Sequence, residues 1–203
     1  MDNAGNIRTG TMAYKIDQTA PNLTMNTGTI QTNTGITINI TGSDTTAGIS
    51  GFQRSKISGT GTITFSNATG SSSKLTASTD GTYSIQVIVK DNANNTTTGT
   101  FTLIWDTTAP SLSGSTVSIS NQTATYKFTS DTTGSIIYSG TCGTGSLSTA
   151  NATGNSISRT LSNATYSGCT ITINDIGGNS SSLVIPNFTI NYTAPSASAG
   201  GGG

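Results

Sequence analysis

Histidine and glutamate are absent from this 203-residue chain, and only 8% of its residues carry charge. Without histidine, the usual general base, the Ser-His and Cys-His nucleophile pairs and most zinc sites are missing. Paired carboxylates alone hydrolyse glycosides only across a substrate cleft, and the aspartates here sit elsewhere, as argued below. No enzyme is expected, and no cofactor is required. The formal net charge is zero. The eight cations (Arg8, Lys15, Arg54, Lys56, Lys74, Lys90, Lys127 and Arg159) are scattered along the chain. A phosphate-binding protein needs a basic face, so nucleic acid is not an expected partner. No apolar run is long enough to span a bilayer, so no membrane insertion is expected in this segment. No secretory leader is legible.

What remains is dominated by Thr, Ser, Asn and Gly. Thr favours strands, whereas Asn, Asp, Ser and Gly favour turns, because they bond the local backbone or tolerate positive φ. An all-β chain with many turns follows. The same composition also occurs in disordered chains, but regular alternation of the apolar residues argues against disorder over most of the length.

One stretch is written three times. Asp2-Asn3-Ala4-Gly5-Asn6 runs through a strand-like segment to Asp17-Gln18-Thr19-Ala20-Pro21. Asp91-Asn92-Ala93-Asn94-Asn95 runs likewise to Asp106-Thr107-Thr108-Ala109-Pro110, and Asp175-Ile176-Gly177-Gly178-Asn179 to Asn191-Tyr192-Thr193-Ala194-Pro195. A fixed period of self-similarity indicates an array of small modules. Pro21, Pro110 and Pro195 mark two units of about 85 to 90 residues, close to the size of an immunoglobulin-type sandwich. The expected organisation is residues 1–17 as the last strand of a truncated module, 18–106 and 107–194 as two domains, and 195–203 as a flexible Ser/Ala/Gly linker. Met1 then lies inside a repeat, at the edge of a fragment. In the orphan N-terminal strand, Met12, Tyr14 and Ile16 align with Phe101, Leu103 and Trp105. Lacking its own sandwich, it packs loosely, folds back or adds to another sheet edge.

The strands can be counted. Tyr83, Ile85, Val87 and Val89 alternate through 82–90, the clearest period-two signal in the chain. Phe101, Leu103 and Trp105 share one face of the next strand. Ile36, Ile38 and Ile40 form an earlier one, 52–57 and 62–65 two more, and Leu75 marks a short one. In the second module Tyr126 with Phe128, Ile136 with Tyr138, and Ile157, Arg159 and Leu161 repeat the plan, with Arg159 at an edge or snorkelling. Tyr166, Cys169, Ile171 and Ile173 follow, with a slip at Ser167-Gly168 that predicts a bulge. Pro186 divides Leu183 and Ile185 from Phe188 and Ile190, so that strand is an edge or is broken. The fold class is therefore all-β: tandem immunoglobulin-like β-sandwiches of about seven strands each. Tyr83 and Tyr166 precede equivalent strands, either as corner tyrosines bonding back to the chain or as plain core residues.

Repeats of this form, closing with Asp-x-Thr-Ala-Pro, resemble the tandem bacterial immunoglobulin-like domains of large cell-surface adhesins and stalk proteins. The resemblance covers residues 2–195, and the third copy departs from it at Ile176-Gly177 and Asn191. It implies an extracellular spacer or adhesive stalk at a cell surface. The expected partners are neighbouring modules of the same chain and a host or cell-surface ligand elsewhere in the full protein. The runner-up is a ligand- or carbohydrate-binding module working through loops such as 140–150, and a third reading is a phage or filament component. The sequons at Asn39, Asn67 and Asn151 are compatible with a glycosylated surface.

In such a fold Cys142 follows the third strand and Cys169 sits in the sixth, its neighbour. They form either a disulfide, stabilising by roughly 3 kcal/mol, or two reduced thiols. The topology also gathers aspartates where each chain enters its sandwich: Asp17, Asp44 and Asp91, then Asp106, Asp131 and Asp175. Like charges held close repel, and Ca²⁺, which takes six to eight oxygens, relieves the conflict. Some adhesin repeats of the resembled kind carry calcium there. The alternative is turn aspartates bonding backbone N–H groups.

Overall fold

The alternation through Tyr83, Ile85, Val87 and Val89 puts four apolar side chains on one face of a strand, and all four are fully buried. The computed structural model describes Ala4, Gly10, residues 16–26 and residues 28–195. Every regular element among them is a β-strand, and no helix is long and apolar enough to cross a membrane. The chain divides into two compact units. One contains Gly35–Ser78 and Thr82–Leu103; the other contains Gln31–Thr34, Thr79–Gly81 and the chain from Ile104.

The first sandwich is built from β1 (Asn22–Thr24), β2 (Thr29–Thr32), β3 (Ile36–Asn39), β4 (Thr41–Ser43), β5 (Ile49–Ser58), β6 (Ile63–Phe65), β7 (Ser72–Ala77), β8 (Gly81–Asp91) and β9 (Thr96–Trp105). One sheet has the order β2-β9-β8-β5; the other face is made by β3-β7-β6 and the pair β1-β4. Ile38, Ile40 and Leu75 are buried, as are Tyr83, Ile85, Val87 and Val89 of β8 and Phe101, Leu103 and Trp105 of β9. The expected seven strands are present as nine segments, because β1 with β2, and β3 with β4, each break one strand. Ile40 marks the second break; its N–H still continues the register of β3 on β7, donating to the carbonyl of Ser71 at 2.9 Å, before β4 turns to pair with β1. The strand marked by Leu75 is longer than expected, because its solvent face is Ser, Lys and Thr and gives no apolar signal.

The second sandwich repeats the plan with β10 (Leu112–Ser120), β11 (Thr123–Ser130), β12 (Gly134–Ser139), β13 (Thr149–Ala150), β14 (Gly154–Thr160), β15 (Ala164–Tyr166), β16 (Thr170–Asn174), β17 (Ser180–Val184) and β18 (Phe188–Ile190). Its sheets run β10-β11-β14, β13-β12-β16-β17 and β15-β18. Pro186 falls in the break between β17 and β18, where its missing N–H costs no ladder bond, and β17 is an edge strand. The slip at Ser167-Gly168 is larger than the expected bulge. Gly168 has φ of +67°, and the chain on either side of it joins different sheets. Tyr166 Oη donates to the carbonyl of Ser162 at 3.0 Å, the corner bond of this fold. Arg159 lies on the edge strand β14, and its guanidinium holds the carbonyl of Thr144. The 140–150 loop is thereby tied down, with Tyr138 Oη donating to the carbonyl of Leu147 as a further tether.

A chain so poor in charge needs another way to finish its solvent faces, and it uses hydroxyls. Directly opposed residues pair side chain to side chain: Ser113 with Thr129 at 2.8 Å, Thr125 with Ser158 at 3.1 Å, Thr165 with Thr189 at 3.0 Å and Thr172 with Ser182 at 2.7 Å. Such cross-strand pairs are the sheet's unit of stabilisation. The strand of Met12 and Tyr14 and the linker 196–203 lie outside the described residues; Ile16 is exposed and not in a strand.

Cys142 lies just past β12 and Cys169 just before β16, and these strands pair with Ser139 opposite Thr170. The two form a disulfide across a separation of 27 residues, with Cα atoms 5.8 Å apart. Gly140 permits the approach: a Cβ there would lie 2.5 Å from the carbonyl oxygen of Gly168, and its φ is +86°. Replacing both cysteines by serine is expected to cost the second sandwich about 3.5 kcal/mol and the first nothing. Urea unfolding with and without reductant measures this.

Candidate functional site

The repeated Asp-x-x-x-Asn of the turn before the last strand folds into a small clasp. Asp91 is fully buried, on the same face of β8 as the core residues. Its Oδ1 accepts the N–H of Asn95 at 2.8 Å and its Oδ2 accepts Asn95 Nδ2 at 2.8 Å. Asn95 Nδ2 also donates to the main-chain carbonyl of Asp17 at 3.1 Å, on the segment leading into the sandwich. The second copy matches it bond for bond. Asp175 accepts the N–H and Nδ2 of Asn179 at 2.8 and 3.0 Å, and Asn179 Nδ2 reaches the carbonyl of Asp106 at 2.9 Å. A charge-assisted pair thus orients one amide, and that amide holds the linker. Asn95 and Asn179 were missed as functional residues in the sequence, although both stand at the close of the repeated pentapeptide.

The linker segments share an internal turn. Asp17 Oδ1 accepts the N–H of Thr19 at 3.0 Å, and Asp106 Oδ1 that of Thr108 at 3.1 Å, the short-range bond that makes Asp a turn residue. A second clasp acts where the chain leaves a sandwich. Asp80 accepts the N–H and hydroxyl of Thr107 at 2.9 and 2.8 Å and the hydroxyl of Thr108 at 2.7 Å. These bonds, led by the side chain of Thr108, hold the Asp80 carboxyl below its ordinary pKa. Its counterpart Asn163 exchanges two bonds with the main chain of Tyr192, both at 2.9 Å.

Of the two expected aspartate sets, the first gathers. Asp17, Asp44 and Asp91 each bring a carboxylate oxygen within 4.8 Å of the others. Asp44 also caps its own loop, with Oδ1 accepting the N–H groups of Thr46, Ala47 and Gly48 at 2.9, 2.6 and 3.1 Å. Asp17 Oδ2 is buried and has no hydrogen-bond partner. A buried anionic oxygen without a partner costs free energy and marks where a cation would be held. Oxygens so spaced suit Ca²⁺, whose ligands stand about 2.3–2.6 Å from the metal.

The second set forms no such group among the described residues. Asp131 is exposed, and its Oδ1 accepts the N–H of Ser111 at 2.8 Å, so it fastens the first strand. Asp106 Oδ2 is taken by Gln31 Nε2 at 3.4 Å. Asp175 and Asp106 keep the main bonds of their counterparts Asp91 and Asp17; the bonds of Asp131 differ from those of Asp44.

Residues 26–104, nearly the whole first sandwich, match the family model described as K319L-like, PKD domain. The chain also matches the fibronectin(III)-like modules of Clostridium thermocellum CbhA, with a TM-score of 0.50 and 10% identity over 84% of this chain and 94% of that one. The fold is immunoglobulin-like. The human desmocollin-1 ectodomain matches at a TM-score of 0.27 and 15% identity, over 83% of this chain and 36% of that one. No curated protein matches the sequence.

Asn179→Ala removes one of the partners of a buried carboxylate and should destabilise the second sandwich by about 2 kcal/mol, in the range for hydrogen bonds to charged groups. Differential scanning calorimetry of the full chain checks it, and the same loss is expected for Asn95→Ala in the first.

Proposed function

We propose that this chain is part of an extracellular, multi-domain surface protein, in which immunoglobulin-like modules act as a structural spacer or adhesive stalk with no catalytic role. The observation that carries the reading is the clasp written twice. In both sandwiches a buried Asp orients an Asn whose amide holds the incoming linker. Conserved linker chemistry, repeated where the surrounding sequence has drifted, is what an array that transmits force from module to module requires. The disulfide supports an oxidising compartment. The 140–150 loop, the alternative ligand loop, is tied to the body by the disulfide, Arg159 and Tyr138, which favours the spacer over that binding reading.

Pulling the chain from its two ends in a single-molecule force experiment tests the spacer. Two discrete unfolding steps are expected. The step of the second sandwich falls short of full extension by about 90 Å, because the disulfide hides roughly 27 residues at about 3.4 Å each; reductant restores that length. Unfolding without discrete steps at measurable force would sink the proposal.

Calcium belongs to the same reading at the first module. Asp17, Asp44 and Asp91 would hold it, with carbonyl and water oxygens completing the shell; the ion supplies charge neutralisation and nothing else. Ca²⁺ at a hundredfold excess over its Kd should stabilise the first sandwich by about 2.7 kcal/mol, and EDTA should reverse the gain. Asp17→Asn should abolish it. An unchanged melting temperature and no heat of binding on calcium addition would exclude calcium here.

A further inference from the structure

The outer face of the first sandwich is interrupted by a cleft of about 500 Å³, and its cause lies in the strand register. Between β5 and β8, Ile49 pairs with Asp91 and Gly51 with Lys90, so Ser50 is an extra residue. A bulge of this kind bends its strand and breaks the face. Gly51 follows at once and adds no side chain; a Cβ built there would meet nothing within 4 Å. The opening is bordered by Lys90 opposite Gly51 and by the next pair on that face, Gln53 and Ile88. Ala68 and Thr69, on the loop beside β5, form the far wall.

Arg54 fixes that wall. Its N–H donates to the carbonyl of Ala68 at 2.9 Å. Its guanidinium donates to the carbonyls of Asn67, Gly70 and Ser71. The residue is 3% exposed, all these partners are neutral, and its Nε–H has no partner. Buried charges are ordinarily paired with an opposite charge. Here the cation is compensated only by dipoles; its residue borders the cleft, with the side chain on the inner face of β5, opposite Val87. Lys90 adds a second, exposed positive charge at the same opening. Among the described residues, no acidic one lines it. Asp91, next in sequence to Lys90, points to the opposite face and into the core. The exposed charge at the depression is therefore that of Lys90, and the remaining polar groups are neutral hydroxyls and an amide.

We propose that this cleft binds an acidic saccharide, its carboxylate facing Lys90 and its ring hydroxyls meeting Gln53, Thr69 and Thr96. Ile88 offers the apolar surface on which the C–H face of a sugar ring rests. The positive potential selects a carboxylated sugar over a neutral one. A peptide would be expected to add to the sheet edge, but the free edge of β5 is occupied at Arg54 by the carbonyl of Ala68.

Titrating the ¹⁵N-labelled full chain with trigalacturonate, and in parallel with neutral galactotriose and an oligoglutamate peptide, tests the assignment. Trigalacturonate should shift the amides of Gly51, Thr69 and Lys90. Its affinity should exceed that of galactotriose at least tenfold and fall as salt is raised. Lys90→Gln should weaken binding about tenfold. Gly51→Leu should fill the cleft and abolish binding without lowering the melting temperature, because its side chain enters open space. Shifts confined to other residues, equal binding of galactotriose, or binding that survives Gly51→Leu would overturn the site. Equal or tighter binding of oligoglutamate would overturn the saccharide as its ligand.

Discussion

A buried carboxylate bonded to the asparagine four residues on is the constraint from which the rest follows. Asp91 and Asp175 sit at the ends of strands whose alternation is otherwise wholly apolar on the inner face. The ionised oxygens are held inside because Asn95 and Asn179 each bring two donors, one from the main chain and one from the side chain. Once oriented, the asparagine amide has a second hydrogen to give, and it gives it to the linker carbonyl. The turn, the end of the core and the path of the incoming chain are thus one cooperative unit. None of the three can be altered without disturbing the other two.

Much of the fold is legible in the sequence, because its signals are local. Alternation at Tyr83 to Val89, the proline at 186 and the twin tyrosines before the sixth strand each depend on a few adjacent residues. The cysteine pair follows once the strands are counted. What escapes reading depends on register or reach. Ser50 becomes a bulged residue only when β5 is laid against β8, some forty positions away, so neither the cleft nor the role of Gly51 is visible along the chain. Asn95 is one asparagine among many, and nothing in its neighbourhood says that its amide reaches back 78 positions to Asp17. The aspartates are half legible. Topology brings Asp17, Asp44 and Asp91 together, but the direction of the Asp131 carboxylate is set by Ser111, whose N–H lies nearer than any companion acid.

The two sandwiches solve the same plan with different fastenings. In the first, Arg54 secures the loop beside β5 through main-chain carbonyls, and no covalent link is needed. In the second, the loop after β12 carries the disulfide, and Arg159 takes up the equivalent task of holding loop carbonyls. Each solution uses a cation to satisfy oxygens that a Gly- and Ser-rich loop cannot satisfy itself. The second adds a covalent constraint where the loop, from Ser139 to Thr149, is longer.

The paired hydroxyls across the sheet faces have a consequence in chemical environment. Ion pairs on a surface weaken as salt rises, with a screening length of about 10 Å at 0.1 M. Bonds between Thr and Ser side chains carry no net charge and feel no such screening. The second sandwich, finished in hydroxyls, should hold with the same strength in fresh water and in brine. None of the named pairs lies in the first sandwich, whose three gathered carboxylates and exposed Lys90 leave it the more open to screening by dissolved ions.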